Sequence, residues 1–171
     1  MPWDRWGKSK SALKGRKNHA PMPQSLAKLY THLVFSTKHR EHCLTDDLRA
    51  DLHSYMGGTL NGLGCIPIEI NSEFEHVHAL FLLGRTIALS EAIGKLKTSS
   101  NDWLRTKAVR FAEFHWQGGY GAFSVSQSGV DEVRQYIRNQ REHHKRVTFQ
   151  DELRALLRRY EIEFDERYVW D

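Results

Sequence analysis

The stretch Phe74–Leu83, FEHVHALFLL, decides the fold, because its apolar second half predicts a β-strand buried on both faces. Residues two apart on a strand project to the same side. His76 and His78 are therefore expected to direct two imidazoles at one point, while Val77 packs into the opposite layer. This arrangement is typical of a two-histidine metal site.

A second pattern surrounds Tyr136, in a segment that is predicted to be helical. Four-residue spacing puts Gln140 one turn beyond Tyr136 on the same helix face, so that a phenolic oxygen and an amide oxygen can approach the same ion. Asn139 is an alternative ligand, since three-residue spacing also shares a face; we favour Gln140. For His143 and His144 we expect an outer-shell, DNA-phosphate or solvated role, since two histidines and one amide complete the protein's share of ligands.

The order of predicted elements is β-α-β-β-α-β. This order is the split β-α-β plan, an α+β fold with an antiparallel sheet and two helices on one face. A helix capped by Thr45 is expected to stop at Gly62 and Gly64, and Ser90 with Glu91 opens the second helix. The strands are predicted over Leu29–Ser36, Cys65–Asn71, Phe74–Leu83 and Ala122–Gln127.

Two further helices are predicted after the last strand. Ser128 with Asp131 is expected to cap the tyrosine helix, which runs to about Lys145. Thr148 with Asp151 is expected to cap a final helix. The acidic, aromatic tail 161–171 either packs over the fold or mediates contacts.

Length and charge together predict one domain with a basic N-terminal extension. A chain of 171 residues suits one domain. Its net charge of +4 is segregated: residues 1–20 carry six Lys/Arg and one acid, so the remaining residues sum to −1. We divide the chain into a basic, disordered arm over 1–21, a main domain over 22–147, and a C-terminal helix and tail over 148–171. DNA binding, if present, must therefore use local basic patches.

Other function classes lack their signatures. No stretch approaches the roughly 18 apolar residues of a membrane span, and the N-terminus lacks a secretory core, so we expect a cytoplasmic protein without a membrane partner. Cys43 and Cys65 are too few to staple the fold and are expected to be small buried or half-buried thiols. No phosphate-cradling GxxxxGK[ST] loop is present, so we expect no nucleotide cofactor.

Four segments, taken in order, resemble one family. They look like the small single-tyrosine HUH transposases of bacterial insertion sequences and their relatives, the REP-associated tyrosine transposases. Any one of the four is weak evidence, but their order and spacing are specific. The segments are Leu29–Lys38 (LYTHLVFSTK), Glu75–His78 (EHVH), Trp116–Ser126 (WQGGYGAFSVS) and Tyr136–His144 (YIRNQREHH).

The resemblance implies a ferredoxin-like nuclease that cuts and rejoins single-stranded DNA through a 5′-phosphotyrosine. By position, Tyr136 is the nucleophile, and a divalent ion, Mg²⁺ or Mn²⁺, is held by His76, His78 and Gln140. The resemblance also implies a DNA target with a hairpin and flanking single strand. It allows either a monomer or a homodimer in which each tyrosine helix serves the partner's histidines; we expect the dimer.

Basic residues beside the site are expected to bind the DNA backbone. Trp116 and Tyr120 either stack on unpaired bases or pack in the core. The expected DNA-binding residues are Lys38, Arg40, Arg85, Arg134, Arg138, Arg141 and Lys145.

Two other functions remain open from the sequence. One is a domesticated protein that binds a DNA hairpin or repeat with cleavage idle; the presence of Tyr136, His76 and His78 argues against it. The other is a metallohydrolase that uses water in place of tyrosine.

Overall fold

Four strands and two helices follow the predicted order, and three shorter helices come after the last strand. The computed structural model describes residues 26–170, so the basic arm 1–21 lies outside the described residues. Strands β1 to β4 span Tyr30–Ser36, Ile66–Ser72, His76–Leu82 and Gly121–Val125. Helices α1 to α5 span Asp46–Gly62, Leu89–Arg105, Val130–Arg138, Gln140–His143 and Phe149–Arg159.

The strands form one antiparallel sheet in the order β2-β3-β1-β4. Helix α1 joins β1 to β2 with β3 between them, and α2 joins β3 to β4 with β1 between them, which is the split β-α-β connection. The register sets Ser36 opposite His76 and Val34 opposite His78. The predicted α+β, ferredoxin-like fold is therefore confirmed.

One face of the sheet, which we call the apolar face, packs against α1 and α2. Alternate residues of β1 and β3 enter this core and are at most 1% exposed: Leu33, Phe35, Val77, Ala79 and Phe81. The helices contribute buried residues that include Leu52, Met56, Leu60, Ile93 and Leu96. Burying such a side chain contributes about 1.5–3 kcal/mol, so this face supplies much of the stability.

Trp116 belongs to the same core. It is 7% exposed, packs edge-on against Phe35 and Phe114, and donates its indole N–H to Ser100 Oγ at 3.0 Å. The core-packing alternative is thus the right one for Trp116. Tyr120 is 44% exposed.

The opposite face, which we call the site face, is covered by the three C-terminal helices. Val34 and Phe123 from the sheet pack against Phe149, Leu153 and Leu157 of α5. The remaining residues that β1 and β3 present on this face are mostly polar, and they are the subject of the next section.

Helix boundaries confirm some predicted caps and correct others. Thr148 Oγ1 accepts the Asp151 backbone N–H at 3.2 Å, as predicted for α5. Gly64 has φ +74°, a left-handed conformation that suits glycine after the end of α1. The predicted Ser128 cap is wrong: Ser126 instead accepts the Gly129 N–H at 3.2 Å and closes a 3₁₀ turn, from which α3 continues directly.

The tyrosine helix is also shorter than predicted, because it breaks at Asn139 (φ −92°, ψ 16°). Asn71 on the edge strand β2 donates its amide to the carbonyls of Ile137 and Arg138, at 2.8 and 3.3 Å. These bonds satisfy carbonyls that the end of a helix leaves unpaired. They also anchor α3 to the sheet beside the histidine strand.

The C-terminal tail packs over the fold, which answers the alternative left open by the sequence. Phe164, Val169 and Trp170 pack against the hydrophobic cluster that α5 forms with Val34 and Phe123. Gln117 donates its side-chain amide to the Val169 carbonyl at 3.1 Å. Tyr168 remains 67% exposed. Among residues 26–170, no helix has the length and apolar character needed to cross a membrane.

Candidate active site

The two histidines of β3 lie side by side on the site face, as predicted. His76 is 1% and His78 is 0% exposed, and their ring centroids are 5.2 Å apart. Val77 between them is buried in the apolar face. Strand geometry alone therefore directs both imidazoles into the layer between the sheet and the C-terminal helices.

Glu152 of α5 meets these histidines, and sequence reasoning missed it. Its Oε2 lies 3.3 Å from His78 Nε2 and 3.9 Å from His76 Nε2. His144, which follows α4, brings its Nε2 to 3.2 Å from the same oxygen. One donor atom from each of these four residues lies within 4.8 Å of the others. We call His76, His78, His144 and Glu152 the four-residue cluster.

The sequence gives weak signals for both additions. His144 is adjacent to the predicted tyrosine helix, but the expectation that two histidines and one amide complete the ligand set leaves it outside that set. Glu152 follows the capping residue Thr148 by four positions and occupies the inner face of α5 beside Phe149 and Leu153, where an apolar residue would be expected. A buried carboxylate on an amphipathic helix is the signal that could have found it.

Gln140 lies next to this cluster, and Asn139 does not. Gln140 is fully buried, and its Nε2 donates to Glu152 Oε1 at 3.0 Å. Asn139 is exposed at the break between α3 and α4. Because the break turns Asn139 outward, the geometry favours Gln140 of the two amides.

Tyr136 reaches the same carboxylate from α3. Its hydroxyl donates to Glu152 Oε1, and its ring centroid is 6.0 Å from that of His78. Burial, together with the adjacent Glu152 carboxylate, raises the pKa of Tyr136 above its ordinary value of about 10. The phenol is therefore held protonated in the DNA-free chain.

The charges of the cluster follow from burial and from its neighbours. Burial would raise the pKa of Glu152, but His78, His144 and the Tyr136 hydroxyl outweigh it and lower that pKa. Burial, and then His78, lower the pKa of His76, which is therefore neutral. For His144, burial lowers the pKa, but the adjacent Glu152 carboxylate raises it overall.

His32 on β1 supports His78 from behind, and sequence reasoning gave it no role. Its Nε2 lies 3.0 Å from His78 Nδ1, and burial lowers the pKa of His32 to about 3, so the ring is neutral. If His78 Nδ1 donates its proton to His32, then His78 Nε2 has a free lone pair toward Glu152. The sequence signal for His32 is its position two residues before Val34 on β1. Residues two apart on a strand face the same side of the sheet, which places both on the site face.

Unsatisfied buried atoms show that this site suits a cation. Both ring nitrogens of His76 are buried without a hydrogen-bond partner, and so are single atoms of five neighbours: His78 Nε2, Gln140 Oε1, His143 Nε2, His144 Nε2 and Glu152 Oε2. Buried polar atoms are normally paired, so a group of them facing one space requires an explanation. Imidazole nitrogens and amide or carboxylate oxygens are ligands that a divalent ion accepts.

Two openings border the site. A cavity of about 580 Å³ is lined by residues that include Tyr136, His143, Glu152 and Arg159. A second, of about 590 Å³, is lined by residues that include His76, Arg141, His144, Lys145 and Phe149. The ring of Phe149, in the first turn of α5, stacks on that of His76 with a centroid distance of 4.4 Å.

The expected DNA-binding residues are not all near the site. Arg141 and Lys145 line the second opening, paired with Asp46 and Glu142. Lys38 and Arg40 follow β1 at its histidine end, since Ser36 pairs with His76. Arg134 and Arg138 share the Glu69 carboxylate on β2, at 3.1 and 2.7 Å. Arg85 follows the other end of β3, roughly 20 Å from the histidines at about 3.3 Å per residue.

Comparison with known proteins agrees with this fold. No curated protein matches the chain. A structure of a Deinococcus radiodurans R1 protein described as a candidate transposase is 22% identical, with TM-score 0.55, over 75% of this chain and 98% of that one. A structure of the REP-associated tyrosine transposase bound to a REP hairpin is 14% identical, with TM-score 0.54, over 75% of this chain and 76% of that one. At these identities the likeness shows the fold.

The sequence profile of the family described as "Transposase IS200 like" matches residues 25–140. This range contains β1 to β4, both β3 histidines, Tyr136 and Gln140. A transposase is a DNA-processing enzyme. Because the match spans well over half of the chain, the protein belongs to the IS200-like transposase family.

Proposed function

We propose that this protein cuts and rejoins single-stranded DNA through a 5′-phosphotyrosine formed on Tyr136. The observation that carries the proposal is the meeting of three groups at one carboxylate. Glu152 Oε1 accepts from the Tyr136 hydroxyl and from the Gln140 amide, while Oε2 faces the two β3 histidines. A nucleophile and a set of candidate metal ligands thus share one buried neighbour.

The metal part of the proposal assigns His76, His78 and Gln140 as the ligands of a Mg²⁺ or Mn²⁺ ion. A bound divalent ion would withdraw charge from a non-bridging phosphate oxygen and help to orient the scissile phosphate. The free lone pairs at His78 Nε2 and Gln140 Oε1 support this assignment. Because His78 Nδ1 lies 3.0 Å from His32 Nε2, His78 Nε2 is the nitrogen that would face an ion.

In the proposed reaction Tyr136 Oη attacks the phosphorus in line with the departing 3′-oxygen. The Tyr136 proton passes to Glu152 Oε1, the atom that already accepts it. The bond between phosphorus and the 3′-oxygen breaks, and that oxygen takes up a proton from solvent and leaves as a 3′-hydroxyl. Rejoining is the reverse attack by a 3′-hydroxyl on the phosphotyrosine, and it needs no nucleotide because the two phosphodiesters have similar energy.

The proposed substrate is single-stranded DNA that carries a hairpin. One solved structure of similar fold is a tyrosine transposase bound to a REP hairpin. We assign phosphate contacts to Arg141 and Lys145 at the second opening and to Lys38 and Arg40 at the same end of the sheet. Arg134 and Arg138 extend this basic surface along β2. Arg85, at the other end of β3, is assigned a more distant contact.

The test uses hairpin oligonucleotides with a randomised single-stranded flank, labelled at either end, with Mn²⁺ present. Wild-type protein is expected to carry the 3′ label into a covalent band on a denaturing gel and to release the 5′ label with a 3′-hydroxyl. Tyr136→Phe is expected to abolish this band, because only the nucleophilic hydroxyl is lost. The matched control Tyr120→Phe, at an exposed tyrosine, is expected to keep it.

Two results would contradict the assignment. Attachment of the 5′ label would mean that tyrosine takes the other side of the phosphate, and a band that survives in Tyr136→Phe would move the nucleophile elsewhere. The second candidate function is hairpin binding with cleavage idle. It is favoured by the burial of His76, His78 and Gln140 beneath α5, and it predicts a native-gel shift with no covalent band in wild type.

A further inference from the structure

Helix α5 covers the candidate metal site, and among the candidate ligands it contributes the Glu152 carboxylate. We propose that Glu152, together with His144, binds the same divalent ion as His76 and His78, so that the ion fastens α5 to the sheet in the DNA-free protein. The proposal deepens the proposed function and rests on its metal site. It concerns a segment outside residues 25–140, the range that the family profile matches.

The distances fit ligands that surround one ion. Ligand atoms about 2.1 Å from a metal are roughly 3.0–3.4 Å apart at angles between octahedral and tetrahedral. Glu152 Oε2 lies 3.2 Å from His144 Nε2, 3.3 Å from His78 Nε2 and 3.9 Å from His76 Nε2. Two of the three separations are ligand-to-ligand distances, and the third needs a shift of about half an ångström.

The burial of Glu152 and the nature of its partners also favour a cation at this position. Glu152 is 3% exposed, and a buried carboxylate is costly unless it is paired. Among the described residues, its ion-pair partners are histidines alone, with no lysine or arginine. Oε1 has two hydrogen-bond donors, Tyr136 and Gln140, whereas Oε2 has none. A cation beside Oε2 would satisfy that oxygen and the three imidazole nitrogens together.

The ligand set also has a chemical preference. Three imidazoles and one carboxylate are richer in nitrogen than sites that select Mg²⁺, which prefers oxygen ligands and retains several waters. Such a set binds Mn²⁺ or Co²⁺ more tightly. With Glu152 and His144 engaged, fewer positions remain for a phosphate oxygen than in a site of two histidines and one amide. DNA therefore competes with Glu152 Oε2 and His144 for positions on the ion.

The first experiment measures Mn²⁺ binding by calorimetry in the absence of DNA, so that it does not depend on cleavage. Glu152→Gln keeps an acceptor for Tyr136 but removes the charge, and we expect Mn²⁺ affinity to fall at least tenfold to a hundredfold, about the loss that even an outer-shell change produces. The control Glu163→Gln makes the same change at an exposed position and is expected to leave affinity unchanged.

The adjacent histidines provide a second matched pair. His144→Ala is expected to weaken Mn²⁺ binding as Glu152→Gln does. His143→Ala is expected to weaken it clearly less, because His143 Nε2 lies 3.7 Å from Glu152 Oε1 and outside the four-residue cluster. Equal effects at 143 and 144, or wild-type affinity in Glu152→Gln, would overturn the proposal.

His76→Ala separates this proposal from the proposed function. If His76→Ala loses Mn²⁺ and Glu152→Gln does not, the metal site stands and the Glu152 assignment fails. If neither variant changes Mn²⁺ binding, or if wild type binds no Mn²⁺, the metal site of the proposed function fails as well.

A measurement on wild-type protein guards against variants that misfold. Hydrogen exchange of the α5 amides is expected to slow on addition of Mn²⁺ more than exchange in α2, which lies on the opposite face. Binding of Mn²⁺ without selective protection of α5 would show that the ion does not hold this helix, and the proposal would be wrong.

Discussion

The two faces of the same sheet bury different kinds of side chain. On the apolar face, Val77 and Leu33 are fully buried among aliphatic and aromatic side chains and need no partner. On the site face, their chain neighbours His78 and His32 are almost as deeply buried but lie among polar atoms, several of which have no hydrogen bond. Neighbouring positions on one strand therefore serve stability on one side and form the candidate active site on the other.

This difference shows that the energetic cost of burying polar groups is concentrated on the site face. Buried polar groups without partners each cost roughly 1–3 kcal/mol, whereas buried aliphatic groups stabilise the fold. The apolar face thus compensates for a site face that is not optimised for stability. Substitutions of neighbouring residues should separate the two roles, and four predictions test this.

The largest effect is expected at the adjacent residues 77 and 78. His78→Ala should lower nicking of the hairpin oligonucleotide by about a thousandfold, because loss of the ion removes several kcal/mol of transition-state stabilisation at 1.36 kcal/mol per tenfold. EDTA should have the same effect on wild type. Single-turnover rates of the covalent band provide the measurement.

Val77→Ala is the control for that experiment. It should reduce thermal stability, since it leaves a cavity in the apolar face, while the rate per folded molecule stays near wild type. A rate loss in Val77→Ala comparable to that in His78→Ala would mean that the two faces are not separable.

A smaller effect is expected one strand away, at residues 32 and 33. His32→Ala should reduce nicking about 10- to 100-fold, because His78 loses the neighbour that orients its ring. Leu33→Ala should instead lower the free energy of unfolding by about 2–5 kcal/mol. Both variants should be measured by urea denaturation and by single-turnover nicking. Leu33→Ala should show the larger loss of stability and His32→Ala the larger loss of rate. If one variant shows the larger loss in both assays, the two faces do not have separate roles.

A weaker effect is expected at the rim of the site face. Arg141→Ala should lower the slope of log K against log salt by about 0.7 for single-stranded DNA, with thermal stability unchanged, because one phosphate contact is lost and the ion pair with Asp46 is at the surface. Lys95→Ala breaks a comparable surface pair with Glu91 on α2. An equal change of slope in Lys95→Ala would show that DNA binding depends on the net charge of the protein and not on residues of the site face.

The last prediction is that mixing two inactive variants restores no activity. The described chain brings Tyr136 to its own histidines, with α3 anchored by its own Asn71. A mixture of Tyr136→Phe and His76→Ala protein should therefore show no nicking beyond that of each variant alone. Recovery after mixing would support the exchanged homodimer that the sequence analysis expected, and labelled subunits should be used to verify that exchange occurs.

Sequence reasoning located the strand pair of the site because its signals are local. Alternation along β1 and β3 assigns each residue to a face before any contact is known. The same rule found His76, His78, Val77 and the split β-α-β order, and a local capping pattern found Thr148. It failed at Ser128 and at the break at Asn139, because those helix ends are determined by the 3₁₀ turn after β4 and by Asn71, which is distant in sequence.

The sequence by itself determined the β-α-β-β-α-β order and the two same-side histidines, since both follow from the periodicity of individual elements, and the family resemblance indicated Tyr136 as the candidate nucleophile. Only the tertiary structure decided that Glu152 and His144 join those histidines, that His32 supports His78, and that Gln140 turns inward where Asn139 turns outward. The physical reason is that spacing along a helix or strand gives direction, whereas the meeting of β1, β3, α3, α4 and α5 at one carboxylate depends on how separate elements pack.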